Sequence, residues 1–252
     1  MKKKIVYRTY EEDVITNWGQ NIDLPESYSW VDNSLKNKIL SKVIYWLADV
    51  FAAIYSKWIL RIEVVGREKL SKRGTKGFYV YGNHTQMIGD AFVPIYVFRG
   101  SRMRAIVSTA NLGIPVLGKI LPCMGALPVP GFDQMKKFLK AVEYYADIGN
   151  GIVIYPEAHV WPYYTRIRPF GTAAFSYPVK QGLPVYCMTT TYQKPKHGEK
   201  PTIRIYIDGP MESDKNQAAS KQKKELCQKV HQCMEKRSWN SDYEYWKYEE
   251  ER

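Results

Sequence analysis

Residues 77–90 read GFYVYGNHTQMIGD, an apolar β-forming run that ends abruptly in polar residues. The run stops at Gly82, His84 follows almost at once, and Asp90 comes six residues after the histidine. This pattern predicts a strand that carries an imidazole to its C-terminal end, where open α/β sheets hold their ligands. We expect the carboxylate of Asp90 to lie on the turn or helix that comes next.

A histidine held by an aspartate can act as a general base near neutral pH. The carboxylate fixes the tautomer of the ring and stabilises the imidazolium that forms when a proton is taken. Because no serine or cysteine is arranged with the pair in a nucleophile motif, we expect the deprotonated hydroxyl to belong to the substrate. Alternatively, His84 is an ordinary strand-end histidine and Asp90 a helix-capping residue; this segment alone does not separate the two.

A second polar cluster follows another apolar run, residues 151–155. If this strand pairs near the first one, both loops lie at the same edge of the sheet, and His84 faces a wall of charged side chains. Arginines in such a wall suit a phosphate or carboxylate, which their planar donor fork binds bidentately; the alternative for each is a solvated surface position. The side chains in question are Glu157, His159, Arg166 and Arg168.

Strand and helix patterns alternate along the rest of the chain. This alternation predicts an α/β fold, a largely parallel mixed sheet flanked by helices. We predict three parts: an N-terminal helical, membrane-associating segment (1–62), an α/β core (63–212), and a C-terminal helix and tail packed on the core (213–252). The expected strands are 105–107, 124–129, 151–155, 185–192 and 202–207, and the clearest helices are 133–148 and 220–237.

Residues 39–60 form the strongest candidate for membrane contact. Charged residues interrupt the segment, so no uncharged run reaches the roughly 18 residues that a spanning helix needs. Lys42, Asp49 and Ser56 recur every seven positions and therefore lie on one narrow stripe of an otherwise apolar helix. Such an amphipathic helix, with two tryptophans and flanking lysines, suits the membrane surface. The alternative is a core helix packed on the sheet.

The charge balance favours an anionic partner. Lysine and arginine number 37 against 25 acidic residues, which gives a net charge of +12. Phospholipid surfaces, nucleic acids and acidic carriers or cofactors all fit such a charge. The basic residues alternate with acids and accompany no nucleic-acid motif, so we expect no nucleic-acid partner. The four cysteines lack metal or disulfide spacing, and we expect neither a metal site nor a resident cofactor.

Four motifs in order resemble the glycerolipid acyltransferase superfamily, which includes glycerol-3-phosphate and 1-acylglycerol-3-phosphate acyltransferases. The resemblance spans roughly residues 39–207. One match alone would be weak, but four in the right order are fairly specific. The matching segments are Asn83-His84 with Asp90, residues 124–131, Tyr155-Pro156-Glu157 and Leu183-Pro184-Val185.

The resemblance implies an O-acyltransferase in which His84 is the general base, Asp90 its partner, and Asn83 part of the substrate site. Acyl-coenzyme A or an acyl carrier protein would be the donor, and a lysophospholipid-like acceptor would receive the chain. It also implies phospholipid biosynthesis at the cytoplasmic face of the cell membrane, with the protein peripheral or monotopic. The alternatives are a non-catalytic lipid-binding relative and an acyltransferase with a non-phosphorylated or glycolipid acceptor.

The chain departs from the family pattern in ways that bear on the acceptor. Five residues separate His84 from Asp90 where the family usually has four, with Gly89 as the extra one. Basic residues that the family associates with the acceptor phosphate are absent from the second and third motifs and after residues 169–170. Either Arg166, Arg168 and His159 replace them, or the acceptor is not the usual phosphorylated glycerol.

Overall fold

The computed structural model describes residues 3–15, 22–31, 34–72 and 75–251. The strands are β1 (Lys4–Tyr7), β2 (Glu63–Val65), β3 (Phe78–Gly82), β4 (Met103–Ser108), β5 (Ala126–Val129), β6 (Gly151–Ile154), β7 (Val185–Gln193), β8 (Thr202–Met211) and β9 (Lys247–Glu250). The α-helices are α1 (Leu35–Ile54), α2 (Gly89–Val97), α3 (Leu117–Met124), α4 (Met135–Asp147), α5 (Ser176–Gln181) and α6 (Ala219–Ser238).

Within the described residues, seven strands form one sheet in the order β2-β8-β7-β3-β6-β4-β5. Neighbouring strands run parallel except β7 and β8, which form an antiparallel hairpin. The predicted α/β fold with a largely parallel mixed sheet is therefore confirmed. The strand β3 lies between β7 and β6, so the segments that follow β3 and β6 leave the sheet side by side.

The two faces of the sheet explain why the central strands are apolar throughout. Every residue of β3 and β6 is buried, as parallel strands covered on both faces require. Alternate side chains enter two cores: Val80 and Val153 face α1 and α2, whereas Tyr81 and Ile154 face α4 and α6. The sheet thus holds the end of β3 rigidly between two helical layers.

The chain ends form an element that the sequence pattern does not predict. The strand β1 pairs in parallel with β9, and Tyr248 of β9 stacks on Trp161 with ring centroids 5.2 Å apart. The segment 1–62, predicted as helical, therefore contains a strand before its helix begins at Leu35. Residues 1–2, 16–21 and 32–33 of that segment lie outside the described part. The predicted division at residues 62 and 212 stays a prediction.

The helix α1 turns Asp49 and Ser56 of its polar stripe towards the protein and its apolar side outwards, while Lys42 of the stripe is exposed. Asp49 pairs with Arg99, Ser56 is fully buried in the π-helical turn that continues the helix, and Ala52 packs into the core. The outward side chains are 36–74% exposed: Leu35, Ile39, Leu40, Val43, Trp46, Leu47, Val50, Phe51, Ile54, Trp58 and Ile59.

A core helix would bury its apolar side against the sheet, whereas α1 exposes most of that side. The segment Leu35–Ile59 is strongly apolar, and 17% of its most apolar stretch is buried inside the protein. By length and composition alone it could cross a membrane. Because the apolar side of α1 does not pack on the sheet, it is available to contact another partner.

The outward face of α1 carries little of the protein's own stability. Leu47 is 54% exposed and Ile95 of α2 is 5% exposed. We expect Leu47→Gln to change the free energy of unfolding by less than about 0.5 kcal/mol, and Ile95→Ala to lower it by about 2–5 kcal/mol. Urea unfolding in the absence of lipid measures both. A comparable loss in the two variants would mean that Leu47 is packed against something in solution.

Candidate active site

His84 and Asp90 meet directly at the C-terminal edge of the sheet. The chain leaves β3 at Gly82, and α2 begins at Gly89, which places the carboxylate in its first turn. Nδ1 of His84 lies 2.7 Å from Oδ2 of Asp90, and the same oxygen accepts the backbone N–H of Gln86 at 2.9 Å. Five intervening residues therefore still allow the contact.

Gly89 makes room for this turn. A Cβ at Gly89 would lie 2.0 Å from Oε1 of Gln86, whose backbone N–H bonds Asp90. A side chain at this position would have to displace that of Gln86, which is buried beside the pair. The five-residue spacing between His84 and Asp90 is thus accommodated by a glycine at position 89.

The imidazole of His84 is fixed on one face and open on another. The ring stacks on Tyr155, with centroids 4.5 Å apart, and the hydroxyl of Tyr155 donates to the backbone carbonyl of Asp90 at 2.7 Å. The side chain of His84 is 20% exposed, and within the described ranges Nε2 has no hydrogen-bond partner. With Nδ1–H donating to Asp90, Nε2 carries a lone pair that a substrate can reach.

The carboxyl group of Asp90 lies in a buried position. Burial raises its pKa above the ordinary value because desolvation disfavours the charged form, while hydrogen bonds from His84 and the backbone oppose the shift. The buried carboxylate therefore depends on its donors, and its interaction with a protonated His84 is stronger than it would be in water.

Glu157 and Arg168 form a buried ion pair behind the histidine. Their side chains are 0% and 1% exposed, with Oε2 of Glu157 3.2 Å from Nη2 of Arg168. Glu157 also accepts the backbone N–H of His84 at 3.0 Å and that of Arg168 at 2.9 Å. Both carboxylate oxygens are thus engaged within the protein, and Glu157 holds the main chain at His84.

The other predicted substrate-binding residues are placed differently. The amide of Asn83 exchanges two hydrogen bonds with the backbone of Thr190 on β7, at 2.8 and 3.0 Å. Nδ1 of His159 lies 2.7 Å from a carboxylate oxygen of Asp13. Arg166 is exposed and covers the ring of Trp239, at 3.8 Å from its centroid. Their roles in substrate binding stay predictions.

Two further residues, Tyr192 and Trp161, contact the site although the sequence pattern does not predict them. The hydroxyl of Tyr192 donates to Thr85, the residue after the histidine, at 2.8 Å to its hydroxyl. The backbone N–H of Trp161 donates to the carbonyl of His84 at 2.9 Å. Tyr192 is the penultimate residue of β7, which pairs with β3. The sequence shows the apolar run of this strand but not its register against β3, so it does not place Tyr192 beside Thr85.

Across the described ranges, no three or more histidine, cysteine, aspartate or glutamate side chains are grouped so that they could hold a metal ion. The chemistry open to the site is proton transfer through Nε2 of His84, with the developing positive charge opposed by Asp90.

Comparison with known proteins relates the fold to an acyltransferase. No family model matches the chain, and no curated protein matches its sequence. The crystal structure of the 1-acyl-sn-glycerophosphate acyltransferase PlsC from Thermotoga maritima is similar, with a TM-score of 0.51 and 15% sequence identity. The similarity covers 83% of this chain and 99% of that one. At this identity the likeness shows a shared fold.

Loss of the Glu157 charge should destabilise the protein strongly. We expect Glu157→Gln to lower the free energy of unfolding by about 3–5 kcal/mol, because Arg168 would remain buried and uncompensated. The matched control is Glu63→Gln, which removes a half-exposed partner of Arg204 and should cost about 0–1 kcal/mol. Urea unfolding of both variants measures the difference, and equal losses would contradict the buried pairing.

Asp90→Asn should be more stable relative to the wild type as the pH rises. Because folding raises the pKa of Asp90, the wild type loses stability as pH climbs from the ordinary aspartate pKa of about 3.9 through the raised value. Asparagine does not titrate. The free energy of unfolding of Asp90→Asn minus that of the wild type should therefore be lowest at acid pH and rise to a plateau. Chemical unfolding across this pH range measures it. If this difference in the free energy of unfolding fell with rising pH, folding would favour the charged carboxylate of Asp90.

Proposed function

We propose that the protein is a membrane-associated O-acyltransferase. It moves a fatty acyl chain from an acyl thioester to a hydroxyl of a lysophospholipid-like acceptor, 1-acylglycerol-3-phosphate or a related lipid. The observation that carries the proposal is the 2.7 Å contact between His84 and Asp90 at the C-terminal edge of the sheet. The fold shared with PlsC supports the same reaction class.

The reaction follows from the position of Nε2. The acceptor hydroxyl gives its proton to Nε2 of His84 as its oxygen attacks the thioester carbonyl, and Asp90 stabilises the imidazolium. The C–O bond forms, the C–S bond breaks, and the imidazolium returns the proton to the departing sulfur. No acyl-enzyme is needed, since the protein mainly positions the two substrates and removes one proton.

The acceptor headgroup has fewer cations available to it than the sequence alone suggests. Arg168 already pairs with Glu157 and donates to the backbone carbonyls of Tyr10 and His159. Of the basic groups in this loop, Arg166 is exposed and His159 is one-third exposed. We therefore assign contact with an acceptor phosphate to Arg166 and His159; a headgroup without phosphate is the alternative.

The outward face of α1 supports action at a membrane. Near the end of α1, Tyr55 packs on Phe92 of α2, the helix whose first turn carries Asp90. A lipid surface against this helix would therefore bring acceptor and acyl chains close to His84. The net charge of +12 suits an anionic cytoplasmic leaflet and an acidic donor, either coenzyme A or an acyl carrier protein.

Acceptor-dependent thiol release tests the function. We expect release from acyl-coenzyme A or acyl carrier protein in the presence of lysophosphatidate, and a fall of about 10²–10⁴-fold in His84→Ala. The matched control is His231→Ala, which removes a partly exposed histidine of α6 and should leave turnover unchanged. A blank without donor corrects for the protein's own thiols, and thermal melting shows that each variant folds.

The possible outcomes separate the candidate functions. Retention of most activity in His84→Ala would overturn the mechanism. Release only with lysolipids or glycolipids other than lysophosphatidate would keep the reaction class and change the acceptor. Saturable lipid binding with no thioester consumption for any acceptor would identify a non-catalytic lipid-binding protein instead.

A further inference from the structure

A cleft of about 330 Å³ opens between the first half of α1 and the turn before β4. This turn, residues 99–102, precedes β4 at the N-terminal ends of the parallel strands, whereas His84 follows the C-terminal end of β3. The cleft therefore lies at the opposite edge of the sheet from the candidate active site. Neither His84 nor Asp90 lines it.

The lining of the cleft carries excess positive charge. Lys42, Arg99 and Arg102 face one carboxylate, that of Asp49. Arg99 binds this carboxylate with two hydrogen bonds, at 3.1 and 2.7 Å, so the pair is already neutralised. Among the described residues that line the cleft, Lys42 and Arg102 are left without a carboxylate partner.

Arg102 has donor capacity that the described part of the protein does not use. Its Nη2 donates to the backbone carbonyls of Ser41 and Cys123, at 3.1 and 3.2 Å, and to the hydroxyl of Ser41. Its guanidinium lies over the ring of Tyr45, 4.8 Å from the centroid, while its buried Nε–H has no partner among the described residues. Burial lowers the pKa of Arg102, because desolvation disfavours the charged guanidinium. An anion in the cleft would compensate this charge and suit its planar donor fork.

The cleft borders directly on the outward apolar face of α1. Trp46 lines the cleft and is 63% exposed, and its neighbours Val43 and Leu47 are 50% and 54% exposed. Tryptophan with flanking cations is the composition of a membrane interface. A lipid whose chains lie along this face would bring its phosphate level with Lys42 and Arg102.

We propose that this cleft binds the phosphate group of an anionic phospholipid at the membrane surface. The ligand is held by Lys42 and Arg102, with Arg99 at the rim, and its chains lie against α1. This site is separate from the acceptor site and does not depend on acyl transfer. It anchors the first half of α1, while the second half packs on α2 through Phe51 and Phe92.

Direct binding is tested by ¹⁵N NMR of the arginine Nε–H groups in the full chain. The probe is a short-chain phosphatidic acid below its micelle concentration, with short-chain phosphatidylcholine and inorganic phosphate as comparisons. We expect a saturable shift of the Arg102 Nε–H signal with phosphatidic acid and a much weaker one with the other two. An equal affinity for inorganic phosphate would overturn the lipid assignment, and no shift with any probe would overturn the site.

Two lysines of the same helical segment distinguish specific binding in the cleft from non-specific electrostatic attraction to an anionic membrane. Lys42 lines the cleft, whereas Lys57 is exposed in the π-helical turn at the other end. We measure binding to phosphatidylcholine vesicles that contain phosphatidylglycerol, and we expect Lys57→Gln to lower the affinity about five-fold. Lys42→Gln should lower the affinity about 10- to 100-fold, because this variant also loses the charge-assisted hydrogen bond to the lipid phosphate.

Equal losses in the two lysine variants would overturn the proposal. Vesicle binding is measured without an acyl donor, so the result stands whether or not the protein transfers acyl chains. Thiol release with a water-soluble acceptor should be the same in Lys42→Gln and the wild type. A loss there as well would place Lys42 in the reaction and contradict a separate site.

Discussion

The carboxylate of Glu157 is the contact on which the geometry of the site depends. It accepts the backbone N–H of His84, which follows β3, and the N–H and guanidinium of Arg168, which lies in the loop after β6. Burying these two charges is costly unless each is paired and hydrogen-bonded, and here both carboxylate oxygens have donors. The pairing therefore ties the two loops together and sets the path of the main chain at the histidine.

The same pairing links the site to the ends of the chain. Arg168 donates to the carbonyl of Tyr10, and Trp161 packs between Tyr7 and Tyr248 of the β1–β9 strand pair. The strands β1 and β9 thus pack on the loop after β6, which bonds the main chain at His84 through Glu157 and Trp161. A site built this way is stiff on its inner side and open at Nε2, which suits a general base for a substrate that arrives from solvent or a lipid surface.

Sequence patterns predict much of this structure and miss what depends on distant partners. The apolar runs of β3 and β6, the amphipathic α4 and the His84–Asp90 pair are local features, and parallel pairing then brings the two loops to one edge. The interior pairing of Glu157 with Arg168 is not local. By composition Arg168 suits a substrate phosphate, and only the path of the loop turns it inwards onto Glu157.

The helix α1 shows a similar division. Its polar stripe is legible in the sequence, but the direction in which it faces depends on Arg99 and on the packing of α2. The short strands β1 and β9 escape prediction because four residues carry little periodicity and their partners are about 240 positions apart in the chain.

The tautomer of His84 tests the central claim most directly. ¹⁵N NMR of the neutral imidazole distinguishes a proton on Nδ1 from one on Nε2 and needs no knowledge of the acceptor. The account predicts that Nδ1 carries the proton, donated to Asp90, and that Nε2 is unprotonated. In Asp90→Asn the preference should weaken or reverse, since the amide can donate to Nδ1. A wild-type ring protonated on Nε2 could not act as the base towards the acceptor, and this result would contradict the account.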